Sequence, residues 1–311
     1  MTVQDFNNVI YDENSDYKFE VLNETAFLNR FFSELKRVMA GRFDNYMFVI
    51  FSSHSLTKAP ASAKKDFGLP KILIFISEEK GEYPAHLVQD FHAIFKSYLS
   101  TALPVGGSVF NFPLGYSKAV KELPMIPIRQ RKYEVFFSGN LNNNRIPLFK
   151  QLSVFKYLLP EIIIKWLIKA QSIKNKITGE AFIRPIANSI IRFNTGFQKG
   201  LSPQEYAEAI SNSKIVLCPK GFNSPESFRH FEAMRAGCII ISEQLPPGEF
   251  YSNSPVFQVK NWKTGIKTAL SLLADENKLV SAHEQTVHWW KEKCSEIAVA
   301  HYVDKSIRSL Q

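Results

Sequence analysis

The sequence predicts an α/β protein of two domains, each built on a parallel sheet, and three observations predict it. Short β-branched or aromatic runs bounded by turn residues, such as "YMFVIFSS", "KILIFIS", "KIVLC" and "CIIIS", read as strands buried on both faces. Between them lie stretches with apolar residues at helical spacing, and that alternation implies parallel pairing through crossovers. The pattern runs twice, on either side of the proline-bearing "KELPMIPIRQRK" at 121–132, and 311 residues with 45% hydrophobic content suffice for two cores.

In chain order, "ETAFLNRFFSELKRVMAG" (24–41) predicts a helix closed by glycine, followed by strands at 46–53 and 71–77. "AHLVQDFHAIFKSYLS" (85–100) predicts a second helix and "SVFNFPLG" (108–115) a further strand, completing a domain over residues 1–125. A second domain, 126–285, opens on the strand "YEVFFSG" (133–139), continues through helix-like stretches at about 145–172, and starts another helix at "SPQEYAEAISNS" (202–213). The strand "KIVLC" (214–218) then leads through a loop to the helix "SPESFRHFEAMRAG" (224–237) and the strand "CIIIS" (238–242). Ser224 reads as the N-cap of that helix, Pro225 as its first residue and Gly237 as the left-handed residue past its end, which gives about three turns. Residues 286–311 read as a C-terminal helical segment with no strand after it. Parallel sheets bind ligands beyond the carboxyl ends of their strands, where the loops "SGNLNNNR" (138–145) and "PKGFNSPE" (219–226) both fall.

Charge is unevenly distributed. Residues 127–200 hold 13 basic residues against Glu134, Glu161 and Glu180, which accounts for the whole net charge of +9, so an anionic partner is expected. Within it, "EIIIKWLIKAQSIKNK" (161–176) reads as either a solvated basic helix or a segment that rests on an anionic membrane surface. The three cysteines, Cys218, Cys238 and Cys294, lack metal-ligand spacing and read as core residues of a reduced, cytoplasmic protein. No apolar stretch is long enough to cross a bilayer, and the first residues lack the basic head and apolar run of a signal peptide.

The loop at 219–227 carries the chemistry. A helix N-terminus presents unpaired N–H groups and the positive end of the macrodipole, so it can hold a phosphate. Lys220 and Arg229 add positive charge, Ser227 a hydroxyl, and the forked guanidinium suits a diphosphate. Glu232 shares a face with Arg229 and can accept hydrogen bonds from a ribose diol. From spacing alone the pair also reads as a solvated ion pair, and Phe228, Phe231 and Met234 as core.

The whole motif weighs against the ion-pair reading. "SKIVLCPKG" followed by "SFRHFEAMRAGCIII" resembles the signature of the exostosin family of glycosyltransferases, and "FFSGNLNNNR" and "YAEAISNSK" match it more weakly, over about residues 133–260. The resemblance implies two Rossmann-like domains facing across a cleft, the GT-B architecture, with a nucleotide-sugar donor in the C-terminal domain, UDP-linked by preference. It implies Arg229 and Lys220 at the diphosphate, Ser227 and the backbone of Phe228 and Gly221 in support, Arg145 after Gly139 on the facing loop, and Glu232 on the ribose. The sequence departs from the family by one extra residue between Gly221 and Ser227, by Ile240 where proline is common, and by lacking the membrane anchor of animal and plant members. These point to a bacterial, cytosolic relative acting on a glycan or lipid-linked acceptor in surface polysaccharide synthesis. No Asp-x-Asp occurs, so neither metal nor cofactor is expected, and cationic side chains would stabilise the leaving group.

An inverting transferase also needs a base for the acceptor hydroxyl. His54, after the first long strand, is the first candidate for its near-neutral titration, and Glu78, after the next, the second. Two other classes stay open: a nucleic-acid-binding protein using the basic segment, disfavoured because no nucleic-acid module appears, and a non-catalytic nucleotide-binding module on the same fold.

Overall fold

The computed structural model describes the chain except residues 1, 101, 102, 105, 153–161, 164–185 and 195–199. The helical stretch expected at 145–172 and the basic segment 161–176 therefore fall largely outside the described residues. The chain divides into two compact units: Met1–Lys118 with Pro246–Ser252 and Lys291–Gln311, and Ala119–Leu245 with Asn253–Trp290.

The first unit holds five parallel strands in sequential order: β1 (Val9–Tyr11), β2 (Met47–Ser52), β3 (Lys71–Ile76), β4 (Ala93–Lys96) and β5 (Val109–Asn111). Alternation sends Val49, Phe51, Leu73 and Phe75 to one face, packed with Leu87, Phe91 and Leu99. On the other face Phe48 meets Phe32 and Phe43, with ring centroids 5.8 and 4.9 Å away. Phe32 belongs to α1 (Thr25–Met39), which buries Phe27, Leu28, Phe31, Phe32 and Leu35 at helical spacing. The stretch expected to be a helix at 85–100 is instead a 3-10 turn, Ala85–Leu87, and strand β4. All four residues of β4 are buried, so its pattern has no strand period to betray it.

The second unit is also a five-stranded parallel sheet. Its strands are β6 (Tyr133–Asn140), β7 (Ile190–Asn194), β8 (Ser213–Cys218), β9 (Ile239–Glu243) and β10 (Phe257–Val259), in the order β10-β9-β8-β6-β7. The order reverses at β6, which pairs with β7 on one side and β8 on the other, and a reversal of this kind opens a crevice beyond the carboxyl ends of the two central strands. Helices α2 (Ile146–Leu152), α3 (Pro203–Ser211), α4 (Phe228–Arg235), α5 (Trp262–Ala274) and α6 (Glu276–Trp289) belong to this unit, while α7 (Glu296–Arg308) belongs to the first. There Arg42 pairs with Asp304 of α7 at 2.7 Å and Tyr116 donates to Glu296.

Helix α4 begins later than its sequence suggests. Ser227 is the N-cap, and the helix has eight residues, about two turns. Ser224 is used up earlier: its carbonyl accepts from Gly221 N–H at 3.0 Å and its hydroxyl from Glu226 N–H at 3.1 Å, folding the loop back before the helix starts. Gly237 does take the expected left-handed conformation, φ +67°. Arg131 donates to Ala236 O at 2.6 Å and His283 Nδ1 contacts Gly237 O at 2.6 Å, so the carbonyl end of α4 is capped as well.

Candidate functional site

The crevice at the strand reversal contains a cavity of about 280 Å³, and Ser138, Gly139, Asn140, Arg145, Ser227, Phe228, Arg229 and Glu232 are among the residues lining it. Two loops and one helix deliver them. Beyond β6 the Asn142 side chain accepts from Arg145 N–H at 3.2 Å, fixing the turn that sends Arg145 back over the strand end. Its guanidinium then donates to Asn140 O at 2.7 Å and to Lys220 O at 3.2 Å, joining the loop after β6 to the loop after β8. Asn144 adds bonds to Gly221 O and Phe222 O, at 2.7 and 3.0 Å. The Glu243 carboxylate takes Lys220 N–H at 2.5 Å and Trp262 Nε1–H at 3.0 Å, anchoring the same loop to the end of β9.

Gly139 is where the two guanidiniums converge. A Cβ there would stand 2.9 Å from Arg229 Nη2, 3.0 Å from Arg145 Nη1 and 3.3 Å from the Phe137 ring. Both cations sit over that ring, at 4.9 Å for Arg229 and 5.8 Å for Arg145. Arg229 Nη2 donates to Ser138 O at 2.5 Å, while its buried Nε and Nη1 have no hydrogen-bond partner among the described residues. Two like charges held over one ring repel each other, and an anion between them relieves that repulsion.

The pKa values carry the same message. Burial first, and the charge of Arg229 next, push Arg145 down to about 9. Burial also works against Arg229, but Tyr206, Cys218 and Glu232 outweigh it and hold its pKa above the ordinary value. Glu232, 5% exposed, accepts from the Tyr206 hydroxyl at 3.0 Å. Burial raises the Tyr206 pKa, so the phenol stays a donor to that carboxylate.

Of the residues marked by sequence, Gly139, Arg145, Ser227, Phe228, Arg229 and Glu232 come together around one cavity. Lys220 and Gly221 do not line it; they act through their backbones, with the Lys220 carbonyl positioning Arg145. Sequence reasoning passed over Tyr206, Asn194 and Leu201, which also line the cavity, and Asn144 and Glu243, which hold the loops. The aromatic ring inside "SPQEYAEAI" was the available signal for Tyr206.

The two base candidates lie in the first unit and differ sharply. His54 is exposed beyond β2. Its Nδ1 faces Ser77 O at 3.2 Å and its Nε2 the Tyr17 hydroxyl at 2.7 Å. A carbonyl can only accept, so the network places the proton on Nδ1, and Nε2 accepts from the Tyr17 hydroxyl. Glu78 is a structural group: its carboxylate is fully buried, pairs with buried Lys96 at 2.8 Å and accepts from the N–H groups of Lys80, Gly81 and Glu82. A carboxylate with no exposed surface cannot meet an acceptor hydroxyl, which argues against Glu78 as the base.

Among the described residues no group of three or more His, Cys, Asp and Glu side chains is placed to hold a metal ion, and no helix is long and apolar enough to cross a membrane. No protein-family model and no curated protein matches the chain. Solved structures do resemble it. An α-glucosyltransferase solved with UDP-glucose and DNA containing an abasic site is similar over 90% of this chain and 84% of its own, at 11% identity and a TM-score of 0.48. TarM is similar over 91% of this chain and 58% of its own, at 10% identity and 0.48. HepE from Anabaena, solved with UDP, is similar over 88% and 82%, at 10% identity and 0.48.

Proposed function

We propose that the chain is a glycosyltransferase that moves a sugar from a nucleotide-sugar, UDP-linked by preference, to a glycan or lipid-linked acceptor in surface polysaccharide synthesis, and that it is an exostosin-like member of the GT-B enzymes. One observation carries the reading: two buried guanidiniums converge at Gly139 beside the N-terminus of α4, and Arg229 keeps Nε and Nη1 without a hydrogen-bond partner among the described residues. A diphosphate supplies two anionic groups at that point. Arg229 and Arg145 take the diphosphate, Ser227 and the Phe228 N–H support it, and Glu232, held by Tyr206, takes the ribose. As the bond to the sugar breaks, charge grows on the departing diphosphate, and fixed cations in a low-dielectric site lower that barrier without a metal. For transfer with inversion, His54 Nε2 is the base, its bond from the Tyr17 hydroxyl being exchanged for one from the acceptor hydroxyl.

The test is a calorimetric screen with UDP, GDP, CMP and their sugars, followed by transfer assays with and without EDTA. UDP binding in the low micromolar range and transfer that survives EDTA support the reading, and absence of binding by any nucleoside diphosphate defeats it. The acceptor panel should include lipid-linked oligosaccharide in anionic vesicles, and also DNA, since the want of a nucleic-acid module does not define the acceptor.

A further inference from the structure

Helix α4 starts with an unusual cap. In a capping box the third helical residue, normally Glu or Gln, reaches back to the backbone N–H of the N-cap. Here that residue is His230, 0% exposed, whose Nδ1 lies 3.2 Å from Ser227 N and 3.1 Å from Ser227 O. Its Nε2 lies 2.9 Å from Ser242 Oγ, and Ser242 Oγ lies 3.1 Å from Cys218 O. The Ser242 hydroxyl has one hydrogen, which serves either that carbonyl or Nε2, so the contacts accommodate both neutral tautomers of the ring. In one of them Nδ1 accepts from Ser227 N–H, in the other it donates to Ser227 O, and in both the ring holds the Ser227 turn. Burial pushes the His230 pKa down to about 3, which keeps the ring neutral. One ring thus ties the cap of α4 to the ends of β8 and β9 without bringing charge.

Neutrality matters at this point. A glutamate in the first turn is the ordinary stabilising choice, because it complements the positive end of the helix. Next to Arg229 it would also occupy the charge that the cavity presents to an anion. We propose that His230 is a positioning residue that holds the Ser227 turn while keeping a carboxylate out of the first turn of α4, so that the positive potential there goes to the phosphates of the ligand. This rests on the nucleoside-diphosphate reading above.

The experiment compares UDP with uridine, which lacks the phosphates, by calorimetry and ligand-observed NMR on the full chain. His230→Gln retains a neutral acceptor and is expected to bind UDP within threefold of the wild-type. His230→Glu retains the capping bond but adds the charge, and should lose at least tenfold in UDP affinity with less than a twofold change for uridine. A folded His230→Glu protein that binds UDP as the wild-type does overturns the proposal, as does equal loss for UDP and uridine, which marks a purely structural role. If the glutamate variant does not fold, His230→Ala takes its place: UDP affinity should fall at least fivefold with uridine unchanged, and wild-type UDP binding overturns the positioning role. If the wild-type protein binds no nucleoside diphosphate, the reading beneath the proposal has failed, and the proposal with it.

Discussion

Replacing Gly139 by alanine adds one methyl group at the point where the site's two cations meet. The new carbon would lie 2.9 Å from Arg229 Nη2 and 3.0 Å from Arg145 Nη1, where ordinary contact begins at 3.4 Å. Both guanidinium ends must therefore retreat by roughly half an ångström from the strand end. They are the far ends of long side chains, so the retreat is cheap for the fold and costly for the ligand. A hydrogen bond to a charged group contributes about 1.5–3 kcal/mol, and losing the geometry of one such bond weakens UDP binding by about 10- to 150-fold. Calorimetry with UDP reads the loss, and thermal melting confirms that the variant folds. Gly41→Ala is the matched control, because a Cβ there meets nothing within 4 Å. A folded Gly139→Ala protein that binds UDP within twofold of the wild-type would falsify the claim that the two arginines act together on one anion.

Further expectations follow from the same geometry. Arg229→Ala should lower turnover more than donor affinity, with lysine rescuing only part, because a guanidinium stabilising charge in the transition state is not replaced by a point charge; equal losses in affinity and kcat/KM would make it a simple phosphate anchor. Lys96→Met strands the buried Glu78 carboxylate and should cost about 3–5 kcal/mol in denaturant unfolding, with Glu78→Gln added on top recovering part of it; a cost below about 1 kcal/mol would show that the three backbone N–H groups suffice. His54→Gln should bind UDP normally and transfer no sugar, and wild-type transfer by that variant would rule out His54 Nε2 as the base.

The long central strands and α1 were legible because their residues announce themselves locally. Runs such as "KILIFIS" are too apolar and too short for anything but a buried strand, and the spacing of Phe27, Phe31, Leu35 and Met39 is helical. What escaped was short or ambiguous. β1 and β10 are edge strands of three residues, and β7 is an edge strand of five that buries only Ile191 and Phe193. The start of α4 was misplaced because Ser224-Pro225 carries a stronger local cap signal than Ser227, and only the fold shows Ser224 spent on the loop. In the site, Gly139, Arg145 and Arg229 could be named from sequence, but their convergence could not. Residues 84 positions apart meet only once β6 and β8 are neighbours. Glu78 was misjudged for the same reason, since nothing local to it reveals Lys96 on the next strand.

The division of the chain also fixes an order of events during synthesis. The second unit ends at Trp290, whereas the first, although it begins the chain, still lacks residues 246–252 and 291–311 when its strands have all been made. Those late residues bring Phe250 and Tyr302, whose rings pack 5.5 Å apart, with Tyr302 against Phe95 at 6.2 Å, and Asp304, which pairs with Arg42. On the ribosome, at about 5–20 residues per second, the surface of α1 that receives α7 would therefore wait, uncovered, for the roughly ten to forty seconds that the intervening residues take to emerge. The unit whose strands are made first is thus the last to be finished, and a nascent chain stalled before residue 291 would expose an apolar face for chaperones to recognise.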